Sequence, residues 1–397
     1  MSGELLNRLL GDELARRRDA QLLRTRQPLR YLDSTHVELE GVRYVNFASN
    51  NYLGLTHHPR VVSAVQEHVR RCGTGSAASP LITGYTDQHA QAEQDIAAWK
   101  GTEAAVLLPS GYQSAQAAIQ TLAALGQRDS GGVRFLLDRL AHASLIDSVR
   151  GTGARYRVFP HNNLAKLHRL LSERARGELQ VVVTESIFSM DGDAADLEGL
   201  AHLKERQPFV LLLDEAHGSG VYGPGGSGYA AERGLQAAVD VSIVTLSKAI
   251  GICGGAVCGT RLFCEGLVNW GRPYVYSTSL APAVAAGAQA AIEVMASEPG
   301  RQQRLRLLAA RVRQALTSAG VEIPPGDSPI IPILLGHERN AMEAARRMRQ
   351  DGLLVVAVRP PTVPRGTSRL RVTLSCDHSD QEVQRLIQAL CAVVAGT

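Results

Sequence analysis

The chain has 397 residues, 45% apolar and 20% charged, with 38 glycines. That is enough to bury a sizeable core and long for one ordinary domain, so two domains are expected. The net charge of +4 is the balance of 42 basic and 38 acidic residues with no long like-charged block, so no nucleic-acid partner is expected. No run approaches the roughly 20 apolar residues a membrane helix needs.

The six cysteines, Cys72, Cys253, Cys258, Cys264, Cys376 and Cys391, form no CxxC pair and no framework spacing, so neither structural zinc nor a disulfide scaffold is expected. The N-terminus is interrupted by charge every few residues and reads as no signal peptide, and a soluble cytoplasmic protein follows. The densest basic stretch, Arg16 to Arg18 followed by Arg24, Arg26 and Arg30, reads first as a solvated helix face.

In chain order, residues 4 to 24 have helical periodicity, with Leu5, Leu9, Leu10 and Leu14 on one side, and predict a docking helix. Residues 42 to 48 alternate as a strand and run into the polar turn SNNYLG at Ser49 to Gly54, a substrate-facing loop in which Asn51 is a candidate contact. The stretch from Cys72 to Gly84 is dominated by small residues and predicts a loop with close approach to the backbone. Between about 102 and 260, short apolar runs alternate with helical segments: 104–108, 134–137, 155–159, 179–184, 209–213, 242–246 and 255–258. Continuous apolar strands between helices predict an α/β domain with a mainly parallel, seven-stranded sheet covered on both faces. Helices are expected over 282–297, 301–319, 338–350 and 379–394, and strands over 330–335, 353–358 and 368–375, giving a smaller α+β domain. The domain reading is an N-terminal segment 1–50, a large domain 51–285 and a C-terminal domain 286–397.

In open parallel sheets ligands lie beyond the carboxyl ends of the strands. Three strand ends there carry chemistry. The run VLLLDEAH ends a strand at Asp214 and adds His217; IVTLSK supplies Thr245 and Lys248; VVTESIFS leads to Ser189. An anion, an amine and hydroxyl donors together suit pyridoxal phosphate (PLP). Asp214 would keep the ring nitrogen protonated, Lys248 would form the Schiff base, His217 would donate to the phenolate oxygen and Thr245 would hold the phosphate. Gly111 and Tyr112 follow the first strand and open a helix whose N-terminus favours phosphate. His142 ends another strand and suits either stacking on the ring or a contact to the substrate carboxylate. Each residue alone has a blander reading, a helix cap for Asp214 or a solvated charge for Lys248. Asp214 and His217 have no third ligand at metal spacing, so no metal is expected.

The motifs FASNNYLGL, DRLAHASL, VTESIFSMDGD, DEAHGSG, TLSK, YSTS and RPPTVPRGTSRLRVTL resemble those of the α-oxoamine synthases, PLP enzymes of the type I transferase fold, nearly end to end. The nearest branch joins L-alanine to a pimeloyl thioester, on CoA or an acyl carrier protein, with release of CO2, in biotin synthesis. The resemblance implies that Gly111, Tyr112, His142, Ser189, Asp214, His217, Thr245 and Lys248 bind PLP and that Lys248 serves afterwards as the base. It makes Arg24 and Thr362 substrate contacts and Arg371 or Arg359 the site for the amino-acid carboxylate, with Arg369 on the same strand face as Arg371. It further implies a homodimer in which the segment at Tyr276 approaches the partner's phosphate.

Two features depart from the pattern: the glycine-rich loop reads GSAASPLITG from Gly75, and Tyr112 replaces a different side chain. Glycine C-acetyltransferase and 5-aminolevulinate synthase are the alternatives within the family, and the paired prolines after Arg359 favour the alanine branch. GPGGSG at Gly223 matches a dinucleotide motif, but it trails the strand end at Asp214 by nine residues, which argues against a dehydrogenase.

Overall fold

Seven apolar runs form one sheet in the computed structural model, which describes residues 2–20, 22–128 and 131–395. They are β1 (Ala104–Leu108), β2 (Val133–Asp138), β3 (Arg155–Phe159), β4 (Leu179–Glu185), β5 (Val210–Asp214), β6 (Val241–Thr245) and β7 (Gly255–Gly259). Their order across the sheet is β1-β7-β6-β5-β4-β2-β3. All neighbours are parallel except β7, which runs antiparallel to both β1 and β6. Successive residues serve opposite faces: Phe135, Leu137, Val181, Val183 and Leu212 join one core cluster, while Leu136, Val182, Leu211 and Leu213 join another. Burial on both sides is why these strands read as continuous apolar runs.

The chain divides into two compact units, Asn50–Arg306 and the remainder on either side of it. The helix Pro282–Ser297 belongs to the first, packed on the helices Pro59–Cys72 and Asp87–Lys100. The division thus falls at 306/307, whereas the sequence placed the change at 285/286. Residues 1–50 were also read as a separate segment, but Val42–Asn46 pairs with Leu353–Leu354, which joins the N-terminal strands to the smaller unit.

The apolar run 353–358 is two strands rather than one. Leu353–Leu354 lies parallel to Val42–Asn46, and Val356–Val358 lies antiparallel to Ser368–Thr373 in a second sheet. The N-terminal helix is Ser2–Asp19; of the remaining expected span, residue 21 lies outside the described residues and 22–24 are not helical. Leu5, Leu9, Leu10 and Leu14 are all exposed. Among the described residues no helix is long and apolar enough to cross a membrane.

The small-residue loop does meet backbone closely. A Cβ on Gly84 would collide with the carbonyl group of Ala78. Ser279 N–H donates to the Ala78 carbonyl at 2.9 Å and Ser76 Oγ to that of Leu280 at 2.6 Å, so the loop is pinned to the segment after Tyr276.

Candidate active site

The carboxyl edge of the sheet gathers the residues that the strand ends singled out. Glu185 and Asp214 are register partners at the ends of β4 and β5, and both are buried. Thr245 closes β6, and Lys248 stands in the turn that leads to β7. That turn is fixed by hydrogen bonds from Leu246 N to Gly254 O at 3.0 Å, Gly251 N to Lys248 O at 3.0 Å and Ile252 N to Leu246 O at 3.0 Å.

His217 links the two strand ends. Its Nε2 lies 2.8 Å from Lys248 Nζ and its Nδ1 lies 2.6 Å from the hydroxyl of Tyr52. Tyr52 is fully buried and also reaches Asn50 Oδ1 at 3.2 Å. The motif containing Tyr52 was legible in the sequence, but the tyrosine's role was missed, because no local pattern joins positions 165 residues apart. Asn51 braces its own turn: its amide nitrogen donates to Thr56 Oγ1 at 2.8 Å and its oxygen accepts from Thr56 N at 3.3 Å.

Burial raises the pKa of Asp214, against the opposing pull of Lys248. It raises Glu185 well above the ordinary carboxylate range, and the charge of Asp214 pushes the same way. Two adjacent buried carboxylates do not both ionise readily, and the larger upward shift falls on Glu185. Glu185 Oε1 is buried without a hydrogen-bond partner among the described residues. Sequence reading passed over Glu185 although it is the last residue of β4.

His142 caps the helix Ala143–Gly151, its Nδ1 accepting from Ser144 N at 3.2 Å. The residue is exposed by surface area, yet the protein around it desolvates the ring. That desolvation lowers its pKa; Asp214 opposes the shift and Lys248 adds to it. Nδ1 also lies 2.8 Å from Ser144 Oγ, so the two contacts to Ser144 fix the orientation of the ring.

The turn bearing His142 is clamped from below. Asp138 accepts from Leu140 N at 2.8 Å and Asn162 N at 3.1 Å, and meets His161 Nδ1 at 3.0 Å; His161 Nε2 reaches Asp193 at 2.7 Å. Burial alone would lower the pKa of His161, but hydrogen bonds to the two carboxylates raise it to about 10. The same histidine lies edge-on to Phe188, with ring centroids 4.4 Å apart. It therefore steadies the excursion after β4 that carries Ser189.

On the phosphate side, Gly111 begins an 18-residue helix, and a Cβ there would fall on the Thr245 hydroxyl. Only glycine allows β6 and this helix N-terminus to approach so closely. Tyr112 is exposed and donates to Asp147 Oδ2 at 3.1 Å; desolvation first, then Asp147, raise its pKa.

The remaining candidates lie in the smaller unit. Arg24 Nη2 donates to Thr362 Oγ1 at 2.9 Å, which joins two residues 338 positions apart. Arg24 and Arg359 line an open groove of about 1200 Å³ with Arg18, Arg339, Arg346 and Arg349. Arg371 is buried and donates to Thr373 Oγ1 at 3.0 Å, while the buried Arg369 donates to the Thr367 carbonyl at 3.0 Å.

The family profile "Aminotransferase class I and II" matches residues 42–390. The chain belongs to this family. It is 43% identical to the 8-amino-7-oxononanoate synthase of Anaeromyxobacter dehalogenans, over 97% of this chain and 95% of that one. The protein of that name from Pseudomonas putida is 41% identical over 96% of each. Among solved structures, serine palmitoyltransferase of Sphingomonas wittichii matches with a TM-score of 0.90 and 29% identity, covering 97% of both chains. A structure of SPT with its PLP internal aldimine matches with a TM-score of 0.89 and 27% identity, covering 98% of this chain and 97% of that one. The protein is a PLP-dependent acyltransferase.

The site fits that cofactor on its own chemistry. Asp214 offers a buried anion for the ring nitrogen, Lys248 an amine for the aldehyde and His217 a ring nitrogen for the phenolate oxygen. In the cradle that a Cβ on Gly111 would fill, the amides of Gly111 and Tyr112 suit a phosphate, while the next, Gln113 N, donates to Ser110 Oγ at 3.2 Å. Among the described residues no cluster of His, Cys, Asp or Glu could hold a metal ion.

Proposed function

We propose that the protein condenses L-alanine with a pimeloyl thioester, with loss of CO2, to form 8-amino-7-oxononanoate in biotin synthesis. What supports this reading most is identity of 38% to 43% with several proteins of that name, across almost the whole chain. When bound, PLP supplies the electron sink that makes an amino-acid Cα–H acidic.

The side chains take distinct parts around it. Asp214 holds a negative charge where the cofactor's positive ring nitrogen belongs. Lys248 would hold the cofactor and, as a free amine, would take the proton from Cα and return one after CO2 has left. His142, its ring orientation fixed by Ser144, stacks on the cofactor ring or contacts the substrate carboxylate. Ser189, Thr245 and the amides at Gly111 and Tyr112 hold the cofactor, and Arg371, or Arg359, takes the alanine carboxylate.

The donor thioester brings further negative charge, a carboxylate at the far end of its acyl chain and phosphates on its carrier, whether CoA or acyl carrier protein. Arg24, positioned by Thr362 within the arginine-lined groove, suits that charge. The homodimer implied by the family resemblance fits the 72% exposure of Tyr276, whose ring lies 4.8 Å from the Arg272 guanidinium.

The test is a comparison of kcat/KM for alanine with pimeloyl-CoA, alanine with pimeloyl-acyl carrier protein, glycine with acetyl-CoA and glycine with succinyl-CoA. Either alanine pair should be fastest. Faster turnover of a glycine pair would overturn the assignment.

A further inference from the structure

We propose that the Tyr52 hydroxyl is a rotatable proton that sets the tautomer of His217, so that His217 accepts from Lys248 before the cofactor binds and donates to the cofactor afterwards. The inference concerns cofactor capture and holds whichever amino acid and thioester the enzyme uses.

Four groups form an unbroken chain: Lys248 Nζ to His217 Nε2 at 2.8 Å, His217 Nδ1 to Tyr52 Oη at 2.6 Å, and Tyr52 Oη to Asn50 Oδ1 at 3.2 Å. Tyr52 is fully buried and His217 nearly so. A neutral imidazole has one donor and one acceptor, and a phenol has a single proton that rotates about its C–O bond. Lysine as an ammonium ion can only donate. The buried carboxylates of Asp214 and Glu185, register partners at the ends of neighbouring strands, lie within charge range of Lys248 and favour its ammonium form.

With Lys248 cationic, Nε2 must accept. The ring proton then lies on Nδ1 and points to the Tyr52 oxygen, and the Tyr52 proton points to Asn50 Oδ1, a permanent acceptor. Every group in the chain is satisfied in this direction. With the lysine nitrogen held by the cofactor, the phenolate oxygen that His217 would meet requires a donor, so the requirement on Nε2 would reverse. The Tyr52 hydroxyl then turns from Asn50 to Nδ1, and the ring proton resides on Nε2. His217 is neutral in both arrangements, giving up its Nδ1 proton and gaining one at Nε2; the ammonium would release one proton to solvent, and the amine's C=N bond to the aldehyde would form as the aldehyde oxygen leaves in water with the amine's two remaining hydrogens. Chains of buried hydrogen bonds strengthen one another, which makes the two directions distinct states. Tyr52 is thus a positioning residue that acts through His217.

The experiment is nitrogen NMR of the His217 ring in the apoenzyme and the PLP-loaded enzyme, on wild type, Tyr52→Phe and Asn50→Ala. In the wild type the protonated nitrogen should change from Nδ1 to Nε2 on loading. Tyr52→Phe should lose the fixed tautomer in both states and change the ratio of protonation forms in the absorbance of bound PLP about tenfold, the effect of one hydrogen bond. Asn50→Ala should weaken the apo preference and leave the loaded one intact. The same tautomer in apo and loaded wild type would overturn the proposal. A Tyr52→Phe enzyme with wild-type tautomers and spectrum would do so equally. The wild-type measurement stands even if a variant fails to fold.

Discussion

Replacing Gly111 with alanine tests the cradle directly. The added Cβ would coincide with Thr245 Oγ1 and would also lie 3.1 Å from Thr245 Cβ and 3.3 Å from its Cγ2. Rotating the threonine side chain exchanges one crowding atom for another, so the helix N-terminus or the end of β6 must move. Overpacking of this kind costs about 1–3 kcal/mol. If the strain is expressed where the phosphate binds, PLP affinity falls roughly 5- to 150-fold. Titration of the apoenzyme with PLP, followed by absorbance, measures the affinity, and thermal unfolding of the apoenzyme measures the strain. Adding Thr245→Ala to Gly111→Ala should restore part of the lost stability without restoring affinity, because it removes both the obstruction and a phosphate contact. Wild-type affinity and stability in Gly111→Ala would refute the reasoning.

Lys248→Ala should preserve the fold, since the side chain is only half-buried, and abolish covalent retention of PLP after borohydride treatment and gel filtration; turnover should fall at least about 10²- to 10⁴-fold, the usual contribution of a general base. Asp214→Asn should weaken PLP binding by roughly 100-fold or more by removing a buried anion from its partner, whereas Glu185→Gln, which puts a neutral isostere where burial already disfavours the charge, should stay within about tenfold of wild type in the same titration. For His161, the folded-state pKa of about 10 lies above the ordinary 6.5. Its contribution to stability is therefore complete below about pH 6.5 and is lost as pH rises through about 10. Discounted for the solvent that reaches the ring, it amounts to about 2 kcal/mol. Urea unfolding across that range should show the wild type losing this much relative to His161→Gln, and parallel curves would count against the ion-pair clamp.

Much of the large unit was legible because burial on both faces leaves an unambiguous mark. Strand ends at Asp214 and Thr245 fell where the apolar runs stopped, and those ends pointed to the chemistry. Residues 353–358 misled for the same reason in reverse: two short strands in different sheets, both apolar, have the signature of one longer strand. Tyr52, Glu185 and His161 escaped notice because their roles depend on partners brought together by the fold. A buried tyrosine in a polar turn, an acid ending an apolar strand and a histidine after a strand each have an ordinary local explanation. Arg24 with Thr362 was reached only through family resemblance, since nothing in spacing relates positions at opposite ends of the chain.

The antiparallel placement of β7 has a mechanical consequence. Because Thr245 and Gly255 are opposed residues of neighbouring strands, Lys248 is rooted in a loop whose two ends are stitched into the same sheet. An amine that must let go of one partner, collect a proton and return needs a mobile tip on an immobile base. The sheet supplies the base, and the four methylenes of the lysine supply the travel, so the group can serve repeatedly without rearrangement of the backbone beneath it.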